Sequence, residues 1–389
     1  MRTFLLRGTA VAVVALALAR SALAFEPTGN ATADAFLGLI EAGKARVASV
    51  GAVSGHGDQI EIREIVLDGT DEPGTSAEIA KVVITGGEVL ADGRLKMAAL
   101  ALDDVTLDAD DTEVSFTAFR ATDLVLPSAA EIAAGGGEPV VGPSYRTIET
   151  FGVTVITEDG NEVALDKLFV AVDAMDGDLP TAGRLALSGL LVEAENLDED
   201  GKKSLTDLGY DSLTLDVDAA FAWDPQTGVL DLSRLDLSGA EVGALALKVQ
   251  LAGLTREVVT RLNESREDSD QALALLQGVS VAGLSIRFDN DSVVERLLDS
   301  QAKEAGVDRD TFVAQLQAGL PMLLTILQNQ AFQDMVMRAV TTFLQDPVSL
   351  HAEAKPAAPV TVAQIMGTAM MAPQSLPQVL GVSVSANGN

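Results

Sequence analysis

Cysteine is absent from all 389 residues. That excludes a disulfide framework, a thiolate zinc site and a cysteine nucleophile, and it fits an exported bacterial protein that avoids thiol chemistry. Aromatic residues make up only 4%, with one tryptophan, Trp223, and two tyrosines, Tyr145 and Tyr210. Sugar-binding surfaces stack carbohydrate on such rings, and outer-membrane barrels carry girdles of them, so a lectin-like role and a barrel are both disfavoured. Positive charge is scarce too: 26 Lys and Arg stand against 57 Asp and Glu, a formal net charge of −31. Nucleic acid demands basic patches that displace counterions, and anionic headgroups repel an acidic chain, so neither is an electrostatic partner. The acids are scattered along the chain, as in a protein kept soluble by self-repulsion.

Catalytic signatures are missing as well. The two histidines, His56 and His351, are isolated and lie in no H-x-x-x-H or H-E-x-x-H arrangement. There is no G-x-S-x-G elbow, no S-x-x-K with partner motifs, no phosphate loop and no G-x-G-x-x-G after a strand. The acid pairs Asp103-Asp104 and Asp110-Asp111 have the chemistry for acid–base work, but neighbours on a strand point to opposite faces. A hydrolase therefore has no supporting motif.

What is present begins with an export signal. Arg2 and Arg7 form a positive head, Gly8–Ala19 an apolar stretch, and Ala22-Leu23-Ala24 a small-x-small cleavage site before Phe25. The stretch is shorter than the about 20 residues a bilayer crossing needs. We therefore read 1–24 as a cleaved signal peptide, with no transmembrane segment in the mature chain and a periplasmic or secreted destination. Hydrophobic residues make up 48% of the chain, enough to fill a large core, and length alone suggests about two domains.

From about residue 58 to 288 one phrase recurs: apolar residues spaced two, three, two. Examples are Ile60, Ile62, Ile65, Leu67; Leu100, Leu102, Val105, Leu107; Phe119, Ala121, Leu124, Leu126; and Val163, Leu165, Leu168, Val170. It continues with Leu185, Leu187, Leu190, Val192; Leu230, Leu232, Leu235, Leu237; and Val279, Val281, Leu284, Ile286. A spacing of two is strand alternation, and the central three predicts a β-bulge or sharp corner that returns the row to one face. Leu213–Leu254 reads as a three-stranded meander with a turn at Asp224-Pro225-Gln226-Thr227-Gly228, and Glu158-Asp159-Gly160-Asn161 as a second hairpin turn. The aliphatic row must be covered. A second sheet or the chain's own helices would close it into a globule; incomplete cover would leave a strip for a ligand or partner.

The period changes over 290–346. Val293, Val294, Leu297 and Leu298 share a helical face, as do Phe312, Val313, Leu316 and Leu320 before Pro321. Phe332, Met335, Val336, Ala339, Val340, Phe343 and Leu344 make a third stripe, and Asp308-Arg309-Asp310 places acids where a helix begins. The predicted organisation is a signal peptide (1–24), a first β-repeat region (25–127), a Gly/Pro-rich linker (128–143), a second β-repeat region (144–289), a helical segment (290–346) and C-terminal strands with a Pro-rich crossing (347–389). The fold class is α+β, mainly β: repeated antiparallel strands in a twisted sheet, sandwich or groove.

One segment suggests metal. Read as a twelve-residue calcium loop, 196–207 puts oxygen ligands at Asn196, Asp198, Asp200, Ser204 and Asp207, with Gly201 at the sixth position. It resembles the dockerin-type EF-hand loop, though Asn stands first and Lys203 takes the usual apolar eighth place. The other reading is a short helix capped by Asp198 or Asp200 and ending near Gly209.

The recurring aliphatic phrase, the D-P-x-T-G hairpin and the export signal together resemble the AsmA-like β-repeat proteins of Gram-negative envelopes. That resemblance implies a long twisted sheet whose apolar face holds acyl chains, and a role in lipid movement or envelope homeostasis. The chain departs from it in losing its N-terminal segment and in being short for a conduit. The expectation is a non-catalytic periplasmic scaffold that binds lipid or an envelope protein; the alternatives are a calcium-dependent structural or adhesive module and a hydrolase.

Overall fold

The structure is a computed structural model that describes residues 25–43, 45–69, 75–109, 112–135, 142, 144–177, 179–265, 269–325 and 328–388. The expected signal peptide and the Asp110-Asp111 pair lie outside the described residues. The chain divides into two compact units, Met1–Ala171 and Val172–Asn389.

The first unit opens with helix α1 (Ala31–Ala42), followed by strands β1 (Ala45–His56), β2 (Gln59–Gly69), β3 (Ser76–Thr85), β4 (Glu88–Val89), β5 (Leu95–Ala109) and β6 (Thr112–Leu126). A short helix α2 (Ala129–Ala134), β7 (Thr147–Ile156) and β8 (Glu162–Asp176) complete it, β8 running through the division. Strand order is β1-β2-β3-β5-β6-β7-β8, all antiparallel, with β4 hydrogen-bonded to β5.

Here the extra residue of the two-three-two phrase makes a corner shared by every strand. The ladders skip Gly51, Glu64, Ala80, Asp104, Thr117, Gly152 and Asp166, each opposite the next, so no register is lost at this line. Glu64, Asp104 and Gly152, on alternate strands, take φ of 55°, 49° and 57°. Gly51 has no side chain because a Cβ there would stand 2.6 Å from the Glu64 carboxylate. Beyond the corner the apolar residues return to the same face. Val50, Ile65, Ile79, Val105, Phe116, Val153 and Leu165 form one row across the sheet.

Helix α1 covers that face. Asn30 caps it by accepting from the Thr32 and Ala33 amides, and it buries Ala33, Phe36, Leu37 and Leu39 against the strands. Ile62, Ile65, Leu67, Val82, Ile84, Leu95 and Met97 become fully buried, each worth about 1.5–3 kcal/mol in transfer. The linker expected over 128–143 is not where the units divide. Ser128 and Glu131 form a reciprocal capping box at the start of α2, and Ile132 enters the same core. Residues 136–141 and 143 of that stretch lie outside the described residues.

The second unit contains β9 (Leu179–Glu193), α3 (Glu199–Asp207), the meander β10 (Ser212–Asp224), β11 (Val229–Gly239) and β12 (Gly243–Ala252), then α4 (Arg256–Glu264), α5 (Ser269–Leu276) and β13 (Ser280–Asn290). Helices α6 (Val293–Ala305), α7 (Arg309–Leu324) and α8 (Gln330–Gln345) follow, then β14 (Ser349–Ala354), β15 (Val360–Thr361), α9 (Val362–Met371), α10 (Leu376–Val379) and β16 (Val382–Ala386). Strand order is β9-β10-β11-β12-β13-β14-β16, antiparallel, with β15 beside β13. The sheet is open and twisted, and β16 is its last strand. The fold class expected from the phrase is the one observed.

In this unit the extra residue makes true bulges. Ser188 and Gly189 oppose Asp216 alone, Ser233 and Arg234 oppose Lys248, and Ala282 is the added residue on β13. Both expected hairpin turns are present. Asp224 accepts from the Gln226 amide and the Thr227 hydroxyl, and Gly228 at φ 70° closes the turn where Leu254 passes 3.0 Å from its Cβ position. The three helical stripes are α6, α7 and α8. Asp308 caps α7 through the Thr311 amide, and Pro321 lies within α7 near its end. Helices α1, α4, α5 and α9 were not among the elements expected from the sequence, although α1 carries Ala33, Phe36 and Leu37 on one face.

Candidate functional site

Residues directly opposite in an antiparallel ladder share a face. In the second unit this aligns the aliphatic phrase of successive strands into continuous rows. One row is Leu187, Val217, Leu237, Leu245, Phe288 and Leu350; the next is Leu185, Ala219, Leu235, Leu247, Ile286, Ala352 and Val384. A third is Gly183, Phe221, Leu232, Val249, Leu284, Ala354 and Val382. The other face is polar: Asp218 stands opposite Asp236, Asp231 opposite Gln250, and Arg287 opposite His351.

The rows are covered only at their margins. Phe343 of α8 meets Phe288 edge-on at 6.2 Å between ring centroids, and Met335 accepts the Val384 amide. Trp223 donates to the Leu254 carbonyl at 2.6 Å and is buried at one rim, where Val360 of β15 pairs with Val281 in the ladder. At the other rim the Tyr210 hydroxyl donates to the Glu241 carbonyl, and Arg296 lies over the Tyr210 ring at 4.2 Å while donating to the Gly209 carbonyl. Between these margins Leu185, Leu237, Leu245 and Ile286 remain 38%, 43%, 41% and 40% exposed. The two outcomes anticipated for the aliphatic row are thus both found: closed under α1 across β2–β6 of the first unit, half-open in the second.

Of the segment read as a calcium loop, 196–207, residues Glu199–Asp207 form helix α3, with Asp198 as its N-cap accepting the Gly201 amide at 2.8 Å. The Asn196 amide group donates to Glu193, the Ser204 hydroxyl to the Asp200 carbonyl, and Lys203 pairs with Asp207 four residues on. Among the described residues no group of three or more His, Cys, Asp or Glu is placed to hold a metal ion. Gly201 serves close packing, a Cβ there standing 3.0 Å from the Asp198 carboxylate.

The acid pair Asp103-Asp104 also separates. Asp104 is a corner residue, whereas Asp103 takes both Lys81 and Arg120 on the outer face of the first unit. The Lys81 hydrogen bond, with Arg120 second, holds the Asp103 carboxyl below its ordinary range. The structure brings His351 to Ser285, Nε2 to Oγ at 3.0 Å, across the β13–β14 ladder. Sixty-six positions separate them in sequence, so no motif marks the pair. Their partner positions, Glu353 opposite Ser285 and Arg287 opposite His351, belong to the polar sheet face.

A model of a family described as "Uncharacterized protein" matches residues 236–387. The match begins in β11 and ends with β16, so it spans the C-terminal part of the open face together with α4–α10. Two 3-phosphoshikimate 1-carboxyvinyltransferases, from two strains of Halobacterium salinarum, are 26% identical to this chain over 192 residues. The aligned part is 44% of this chain and 44% and 43% of those proteins, so the chain spans less than half the length of the curated relatives it matches. Among the described residues no helix is long and apolar enough to cross a membrane.

Proposed function

We propose that this protein is a non-catalytic, exported scaffold that holds aliphatic lipid chains on the half-open sheet face of its second unit. The observation that carries the reading is the exposure of Leu185, Leu237, Leu245 and Ile286 within continuous apolar rows. Soluble monomers rarely leave such contiguous apolar strips open without a ligand or partner. The lining is Leu, Val, Ile and Ala with few rings, which matches flexible methylene chains better than sugars or bases. The likeness of the strand phrase to AsmA-like proteins supports the same class of ligand, and the N-terminal signal supports the envelope as its place of work. A carboxyvinyltransferase acting on a phosphorylated substrate would need convergent cations. Here Arg46, Arg94, Arg184, Arg287 and Arg309 each pair with an aspartate at separate places on the surface.

Titration with the fluorescent fatty acid cis-parinaric acid tests the reading. Saturable binding is expected, weakened at least tenfold in the double variant Leu237→Asp/Leu245→Asp. No binding by the wild-type protein, or equal binding by the variant, would sink it.

A further inference from the structure

Charge is distributed along this chain with two exceptions. From Thr311 to Gln333, and again from Pro356 to Asn389, there is no Asp, Glu, Lys or Arg. In a protein where charged residues make up 21%, the two longest such gaps outside the N-terminal signal stand out, and the structure joins them. Asn329, the N-cap of α8, donates through Nδ2 to the Gln374 carbonyl at 2.8 Å, tying the start of α8 to the turn after α9. Each helix ends, a few residues before that bond, on a pair of large apolar side chains turned outward. Met322 and Leu323 on α7 are 85% and 72% exposed; Met370 and Met371 on α9 are 85% and 88% exposed. Leu323 is six and Met322 seven residues from Asn329, and Met371 is three from Gln374, so both pairs lie within about 25 Å of the shared bond along the chain.

These are the most exposed large apolar residues of the described chain, and they do not belong to the aliphatic rows of the sheet. Scattered exposed leucines need no explanation. Four nearly bare Met and Leu side chains at two bonded helix ends, set in the parts of the sequence from which charge is missing, do. Methionine is unbranched and polarizable and adapts to irregular apolar surroundings. The acidic chain as a whole is repelled by anionic headgroups; this end adds no charge of its own from Thr311 to Gln333 or from Pro356 onward, so its apolar side chains can enter the acyl boundary.

We propose that this end of the second unit is a bilayer-docking tip, in which Met322, Leu323, Met370 and Met371 insert into the interface of a lipid membrane. Entry is driven by apolar burial, without a basic patch. Binding therefore prefers zwitterionic over anionic vesicles, and added salt relieves the penalty on the anionic ones. The tip does not depend on the sheet face holding lipid.

Flotation of the purified protein with vesicles tests the proposal. The wild-type protein is expected to float with phosphatidylcholine vesicles, less with phosphatidylcholine–phosphatidylglycerol vesicles at low salt, and to recover on the latter at high salt. The variant Met322→Asp/Leu323→Asp/Met370→Asp/Met371→Asp should bind at least tenfold more weakly with an unchanged melting temperature, since these side chains are already in solvent. The sheet-face variant Leu237→Asp/Leu245→Asp should float as well as wild type, which separates failure of the tip from failure of the lipid-holding face. Because the chain has no cysteine, Met370→Cys can be labelled uniquely with an environment-sensitive dye. Its emission should shift to the blue on vesicle addition, while Ala240→Cys, in the exposed β11–β12 turn, should not. A wild-type protein that stays off the vesicles would overturn the proposal. So would a fourfold variant that still floats. A blue shift that appears with protein concentration alone would assign the tip to a second copy of this chain.

Discussion

The Gly189 amide donates to the Asp216 carboxylate at 2.8 Å, and this bond closes the bulge at which two residues of β9 oppose one of β10. Gly189 sits at φ 68°, where a side chain is strained. Gly189→Ala should therefore cost about 1–2 kcal/mol. Asp216→Ala should cost about 1 kcal/mol through the lost amide bond. Urea unfolding measures both; an unchanged midpoint in each would show that the bulge is not held this way.

The two aliphatic faces should respond differently to truncation. Ile62 and Ile65 are wholly buried under α1, and Ile65→Ala should lose about 3 kcal/mol. Leu245→Ala, on the open face, should lose about 1 kcal/mol, because much of its surface is already in water. Equal losses in chemical denaturation would mean the open face is covered in solution.

Trp223 is the single tryptophan and is buried in the second unit, so its fluorescence reports on that unit alone. With much of its sheet face half-covered, the second unit should unfold first. The fluorescence midpoint in urea is expected below the midpoint of far-ultraviolet circular dichroism. Coincident curves would show one cooperative transition.

Asp103 provides a pH test. Lys81 first and Arg120 second depress its folded titration. Its contribution is complete above the ordinary carboxylate range and is lost as pH falls through the lowered folded value. Asp103→Asn should thus reduce stability near neutrality and converge with wild type in acid. A constant gap at all pH values would contradict the linkage.

Calcium should not stabilise the protein through 196–207. Melting temperatures with calcium and with chelator are expected to agree. Asp198→Ala should cost about 1 kcal/mol in both, as loss of a helix cap does. A calcium-dependent melt abolished by Asp198→Ala would restore the ligand loop.

Much of the strand architecture is legible in the residue spacing. The two-three-two phrase marked strands and the place where each must turn, because side-chain direction along a strand is a local property. Asp224–Gly228 and Glu158–Asn161 carried their own turn chemistry, and the stripes of α6–α8 are equally local. Whether the inserted residue became a corner or a bulge was not local. Gly51, Ala80 and Thr117 skip a pairing only because Glu64, Asp104 and Gly152 stand beside them, and in β9–β12 no such line forms.

Charge-free runs and an aliphatic excess could be read directly, but not what they face. The same phrase is buried in β2–β6 and half-open in β9–β12, and the difference is α1, whose Phe36 and Leu37 reach strands far along the chain. The stripe of α8 had the composition to close the second face, yet Phe343 meets Phe288 and Met335 meets β16 at its margin. Asp198 and Gly201 fit a calcium loop or a helix start equally well on paper; the chain's path after β9 made them a cap. Residue period and turn chemistry are set within a few residues, so the sequence alone determined them. Cover is set by which distant element arrives over a face, and only the tertiary structure decided that.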